Sequence, residues 1–500
     1  MQVWTPHHYQ QTAMALAVTR TDGAAAIFAD PGLGKTSVSY GVISILKQHG
    51  MFKRAWVVAP RRPCKLVWPK ERDKWTQFKD FTIAQAMGNA TQRAAALHAK
   101  TDIMVTHYGL LASKGTVGKA GYVKGLVDMI LEEEARTGVF PFDVLILDES
   151  TEIKHSSTDR WKALKKIAHK FDRRILLTGT PATKGLHDLF GQITITDGGK
   201  RLGATLTKFR REYFIPEFIP GVPVPKWHAK AEAEGQIFGK IGDMCLRLKN
   251  TDYLDMPELQ YNKIEVELPA DAMRMYRKVE RDYIANWRSG KIVAANAAAA
   301  AQKMRQVASG TVYAADENDE RIVEQVHTEK SEALLELIEE QNGQPLLVCV
   351  AFRSEAAYLQ RVISEAGYDK PPVLIGGVSD KVADDVEARW NRGEIPVLIV
   401  HPRTVRFGLN LQAGGNALVW YSLTWSLEDF IQSIARIWRQ GQLNKHCIVH
   451  ILCAIGTIDE RIADTLSSDE ASQERLFSAL TEYVKEHDNV STEQREAATV

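Results

Sequence analysis

Residues 24–50 read AAAIFADPGLGKTSVSYGVISILKQHG. An apolar run short enough for one buried strand leads straight into a glycine-rich loop. The loop leads into a segment with apolar residues at helical spacing that closes on Gly50. A strand feeding a helix through a tight loop is the start of a strand–helix–strand unit, and strands separated by helical stretches predict an α/β fold with a parallel sheet. The alternation then continues. Strands are expected at 54–60, 102–108, 142–150 and 173–181, and again at 345–352, 371–377, 395–402, 417–422 and 447–454. A helix is expected at 11–18. Uninterrupted apolar strands of this kind belong to sheets covered on both faces.

The alternation lapses between about 200 and 330. Residues 214–227 (FIPEFIPGVPVPKW) carry too many prolines for a regular helix. Long helical stretches follow, among them the alanine-rich 293–307, and the acidic 315–325 reads as a surface turn or hairpin. The expected organisation is a first lobe at 1–200, a helical insertion at 201–328, a second lobe at 329–470 and a helical tail at 471–500.

Composition excludes several classes. The chain has 500 residues, a formal charge of +1 and five cysteines without a CxxC pair. That argues against a disulfide framework or a zinc site and for a reducing compartment. No apolar run reaches the ~18 residues that a membrane span requires, and the first residues do not form a signal peptide. A near-zero net charge leaves room for a local basic stripe.

The loop at 29–36 is suited to phosphate. Gly32 and Gly34 let backbone N–H groups converge on phosphate oxygens, and the helix starting at Lys35 adds its positive dipole end. Lys35 would reach the β and γ phosphates, and the Thr36 hydroxyl would ligate Mg2+. VLILDES (144–150) supplies the acids. Asp148 would hold the metal and Glu149 would orient or deprotonate an attacking water. Hydrolysis of a nucleoside triphosphate follows, with ATP as the expected fuel.

Several segments then fall in a familiar order: DESTEIKH (148–155), LLTGTP (176–181), FGLNLQ (407–412) and QSIARIWRQGQ (432–442). With VVAPRRPCKLVWPKERDKW (57–75), CLRLKNTDYLDMP (245–257), EKSEALLELI (329–338) and GTIDERI (456–462), they resemble the SWI/SNF (Snf-type) family of superfamily II helicase-like ATPases, which are double-stranded DNA translocases. The last of the four motifs matches the family's at Gln432, Arg436, Arg439, Gly441 and Gln442.

The resemblance covers about residues 1–465 and implies two RecA-like lobes with parallel sheets, with ATP between them. It implies that Arg436 and Arg439, three apart on one expected helix face, supply cations to the departing γ-phosphate, with Gly408 and Gln432 also on the nucleotide side. It implies that Gln10 reads the adenine edge, with Tyr9 or Trp4 near it, although a capped helix start explains Gln10 equally. Thr178 and Thr180 would relay the state of the γ-phosphate. Arg61 and Thr106 from the first lobe, and Asn410, Gln412 and Trp425 from the second, would face DNA, though Trp425 also reads as core.

The family's histidine after Asp-Glu-x is here Thr151, and His155 one turn on reads as solvated. The family's glycine pair is replaced around Arg406. The implied machine is a monomeric motor of a bacterial or phage-infected cytoplasm that moves on double-stranded DNA without strand separation. A true helicase and an AAA+-like protein remodeller are the rival readings.

Overall fold

The computed structural model describes residues 2–115, 121–182, 185–218, 225–288, 294–315, 321–405 and 408–467. The expected tail at 471–500 and Arg406 lie outside the described residues. The chain divides into two compact units, residues 1–217 with 226–255, and residues 218–225 with 256–500.

The strands of the first unit are β1 Ala24–Ala29, β2 Ala55–Ala59, β3 Ile83–Gln85, β4 Ile103–His107, β5 Val144–Asp148, β6 Arg173–Thr178, β7 Phe214–Glu217, β8 Lys226–Ala229 and β9 Cys245–Leu248. Seven of them form one sheet in the order β3-β4-β2-β5-β6-β1-β9, with every pairing parallel. Along β1, Ala24, Ala26 and Phe28 enter one apolar cluster, while Ala25, Ile27 and Ala29 enter another on the opposite face. Burial on both faces is why these strands read as unbroken apolar runs. β7 and β8 form a separate antiparallel ribbon. Pro216 is tolerated there because a two-stranded ribbon has only edge strands.

The second unit holds β10 Glu258–Val266, β11 Thr311–Ala315, β12 Arg321–Gln325, β13 Leu346–Cys349, β14 Val373–Leu374, β15 Val397–Val400, β16 Ala417–Trp420 and β17 His446–Ala454. Its main sheet, β10-β17-β16-β13-β15-β14, is also parallel throughout. β11 and β12 pair as an antiparallel hairpin.

The segment 201–328, read from sequence as one helical insertion, is divided between the units. β9 joins the first sheet beside β1, and β10 joins the second beside β17. Helices do occupy much of the remainder, including Ala270–Arg288 and Ala294–Ala308. Among the described residues no helix is long and apolar enough to cross a membrane.

A buried ion pair locks the second unit. Lys330, wholly buried, meets Asp459 at 2.5 Å and also donates to the Tyr421 carbonyl at 3.3 Å. Removing one partner strands the other charge in the core. Asp459→Ala is expected to lower stability by about 3–5 kcal/mol, and the paired change Lys330→Met with Asp459→Leu by less. Urea unfolding of the native chain and both variants measures the difference.

Candidate active site

Gly34 has φ 75°, a left-handed value that any side chain would strain, and it caps the helix Lys35–Gln48. Gly32 is also left-handed, at φ 95°. The loop thus turns back over the helix start, where unpaired N–H groups and the helix dipole favour an anion. The Lys35 ammonium donates to the Ala29 carbonyl at 2.8 Å and lies 3.4 Å from that of Asp30, so it is held within the loop.

Gln10 braces the loop. Its Nε2 donates to the Leu33 carbonyl at 3.1 Å, and its Oε1 accepts the His7 N–H at 3.0 Å, closing a capping box on the helix His8–Thr19. The helix-cap explanation of Gln10 therefore holds, and the residue touches the phosphate loop as well. Tyr9, its neighbour in the helix, is buried, and Trp4 packs on Phe78.

The sheet order brings the remaining groups to the same edge, because β6 alone separates β5 from β1. Asp148 ends β5 and is buried. Its Oδ2 accepts the Trp68 indole N–H at 3.1 Å. Burial and the adjacent Glu149 carboxylate push its pKa up to about 6, against the opposing pull of Trp68 and Lys35. Glu149 has φ 52°, one of two non-glycine residues with positive φ among those described. Such strain persists only where the surroundings over-determine it. Thr178, at the end of β6, lies with its hydroxyl 3.4 Å from Glu149 Oε2 and accepts the Thr180 N–H at 3.3 Å. Thr151 is buried in the short turn that follows, and His155 is exposed.

Two carboxyls side by side, one buried and one half-buried, stand near an ammonium and a helix N-terminus. That donor set fits a divalent cation with a triphosphate.

Sequence reasoning missed Arg247. From β9 it donates to the carbonyls of Phe28 and Gly179, at 3.1 Å each, and to Asp30 Oδ1 at 2.7 Å. One guanidinium thereby joins the phosphate-loop strand to the Gly-Thr-Pro loop. Its signal lay in CLRLK, but nothing in the sequence showed that this segment was a strand beside β1.

Arg61 follows β2 and is exposed. Around it gathers local positive charge: His107, at the end of β4, is pushed down to about 4 by burial first, then by Arg61, Lys114, Arg93 and Lys65. Thr106 needs correcting as a phosphate contact. It is wholly buried in β4 and its hydroxyl donates to the Ala86 carbonyl at 2.9 Å, so it offers no surface atom.

In the second unit Arg436 holds Gln432 and the segment after Gly408. The helix expected to carry both arginines, Leu427–Ile434, stops before either of them, and turns follow. Arg436 is buried. It donates to the Gln432 carbonyl at 2.9 Å, to Gln432 Oε1 at 3.0 Å and to the Leu409 carbonyl at 3.0 Å. It and Gln432 staple the segment after Gly408, whose φ is 84°, to the helix end. Arg439 is half-buried and reaches Asn410 Oδ1 at 2.5 Å. Gln412 is half-buried. Trp425 lines a cavity of about 450 Å3 with Arg305, His401 and Arg403 at the C-terminal edge of the sheet.

A phosphate loop, an acid pair one strand away and a second all-parallel sheet define a helicase-like ATPase. The family matches narrow this. Residues 9–320 match the SNF2-related domain and residues 329–441 the helicase conserved C-terminal domain, so the chain belongs to the SNF2-related family.

It is 33% identical to "Putative protein p41" of Acyrthosiphon pisum secondary endosymbiont phage 1, over 96% of this chain and 99% of that protein. It is 24% identical to the "Putative ATP-dependent helicase/translocase YwqA" of Bacillus subtilis, covering 94% of this chain and 48% of that protein. It is 24% identical to the "DNA repair and recombination protein RAD54B" of Gallus gallus, covering 97% and 54%. The chain spans about half the length of these last two. The solved "Sulfolobus solfataricus SWI2/SNF2 ATPase core in complex with dsDNA" aligns over 93% of each chain at 20% identity, with a TM-score of 0.41.

Proposed function

We propose that this chain hydrolyses ATP and uses the energy to move along double-stranded DNA without separating the strands. The observation that supports this reading is the common edge of β5, β6 and β1, where Asp148 feels both Glu149 and Lys35, Thr178 lies beside Glu149, and Thr36 follows Lys35 in the helix. Lys35 binds the β and γ phosphates, helped by the N–H groups of the glycine loop. Thr36 and Asp148 would hold Mg2+, which when bound neutralises the phosphate charge. Glu149 orients and deprotonates the attacking water, and Thr178 senses the Glu149 carboxylate. Arg439 is the proposed cation for the leaving γ-phosphate.

Next along the same edge come β2 and β4, with Arg61, Lys65 and Lys114 around His107. This local charge in a chain of net +1 suits a phosphate backbone. Asn410 and Gln412 in the second unit are the companion contacts proposed there. Contacts to phosphate alone give little sequence preference and steep salt dependence. Arg61→Ala with Lys114→Ala is expected to weaken binding equally on unrelated DNA sequences. It should also flatten the slope of log Kd against log salt by about 1 for each phosphate no longer neutralised. Fluorescence anisotropy across a salt series reads both.

The deciding experiment is the ATPase rate with no nucleic acid, single-stranded DNA, double-stranded DNA and RNA, followed by triplex displacement and fork unwinding. Stimulation by duplex with triplex displacement supports the proposal. Unwinding of forks favours the helicase reading, and indifference to every nucleic acid favours a protein remodeller.

A further inference from the structure

The helix His187–Asp197 follows the Gly-Thr-Pro loop and is buried along nearly its whole length. Its residues 188, 191 and 192 share one face, three and four positions apart, and that face lies against the turn just after Glu149. Asp188 pairs with Lys154 at 3.3 Å. Gly191 lets the backbones meet, since a Cβ there would sit 2.3 Å from the Lys154 carbonyl oxygen. The indole of Trp161 donates to the Gly191 carbonyl at 2.8 Å.

Within this interface stands a wholly buried glutamine. Gln192 Oε1 accepts the Ser150 hydroxyl at 2.7 Å. Its Nε2 donates to the Pro181 carbonyl at 2.6 Å and to that of Asp188 at 2.9 Å. Ser150 is the residue after the strained Glu149 and is itself wholly buried. Pro181 ends the Gly-Thr-Pro loop. One carboxamide therefore has its acceptor on the carboxylate turn and a donor on the loop that carries Thr178 and Thr180. Two carbonyl acceptors fix the amide's orientation, because flipping it would set its oxygen against the carbonyl oxygens of Pro181 and Asp188.

We propose that Gln192 is a positioning residue that links the Asp148–Glu149 turn to the Gly-Thr-Pro loop, so that displacement of either is transmitted to the other. The inference rests on the reading that this edge hydrolyses ATP. Gln192 touches no reacting atom. It acts by holding Ser150, and through Ser150 the backbone that aims Glu149.

The test uses the full chain with Gln192→Met, which keeps the volume and removes the hydrogen bonds. Ser150→Ala deletes a single oxygen and serves where the Met variant folds poorly. Thermal unfolding shows that each variant is folded. The expected result is a kcat at least about tenfold lower with the KM for ATP changed by less than about twofold. The double variant should be no slower than the worse single one, because both changes break one link.

Hydrogen exchange with the imido analogue of ATP and Mg2+ supplies a readout independent of turnover. In the native chain the nucleotide should slow exchange at 32–36 and at 178–182. In the variants the slowing at 32–36 should remain and that at 178–182 should disappear. Retained slowing at 178–182 with unchanged kcat overturns the inference, as does a native chain that responds at 32–36 alone. No response at 32–36 in the native chain would instead sink the ATP reading.

Discussion

Glu149→Gln should still bind ATP but hydrolyse it at least about 100-fold more slowly, the usual contribution of a positioned general base. The carboxamide matches the carboxylate in shape and can lie beside Thr178, yet it has no basic lone pair with which to take the proton of an attacking water. Lys35→Ala should fail earlier, at binding, because it removes the ammonium held in the phosphate loop. Titration with a fluorescent ATP analogue and steady-state phosphate release separate the two.

The backbone adds a second, sharper outcome. Glu149 sits at φ 52°, where residues other than glycine, asparagine and aspartate are disfavoured by about 1–2 kcal/mol. Asparagine accepts this conformation. Glu149→Asn should therefore be inactive while unfolding at a temperature no lower than the native chain. A stable, dead variant is the signature of strain maintained for chemistry. An unstable Glu149→Asn would mean that this carboxylate supports the fold.

The central sheets were readable because their strands are buried on both faces. AAAIFAD and VLILDES are too short for buried helices and are bounded by loop signals, which favours strands. The chemistry on the first sheet was legible for the same reason, since each acting residue ends a strand or begins the helix after one, and parallel strands put those ends on one edge.

What stayed hidden was pairing across distance. β9 and β10 carry charged and polar residues, Arg247, Gln260 and Asn262 among them. They read as part of a helical insertion because flanking strands lack the double-sided apolar pattern. Arg247 was overlooked with its strand. Thr106 was read as a contact from its place near a strand end, but a threonine inside a covered strand turns its hydroxyl to a neighbouring carbonyl. Gln192 gave no signal at all, because a polar residue in an apolar helix shows its purpose only when its three partners are known.

The pair Arg436 and Arg439 is where the structure most changes the expectation, and it yields the other large effect. Spacing alone made them equivalent on one helix face. The helix ends at Ile434, and the two then differ in burial and in surroundings. Arg436 is buried, with its guanidinium turned to two carbonyls and the Gln432 side chain. Arg436→Ala leaves the Leu409 carbonyl and Gln432 Oε1 without those partners, each worth about 1–3 kcal/mol when buried. Its deficit should appear first as a lower unfolding temperature.

Arg439 is half-buried, and its guanidinium meets a side-chain oxygen, Asn410 Oδ1. Arg439→Ala should leave the unfolding temperature within a few degrees and lower kcat by about 10³-fold, the scale of a cation acting on a leaving phosphoryl group. ATP affinity should change far less. Arg439→Lys should recover little, since an ammonium cannot present the planar fork that grips two phosphate oxygens. If Arg439→Ala turns over at the native rate while Arg436→Ala is stable and slow, the two assignments are reversed. The buried arginine would then have to leave its carbonyl partners during each catalytic cycle.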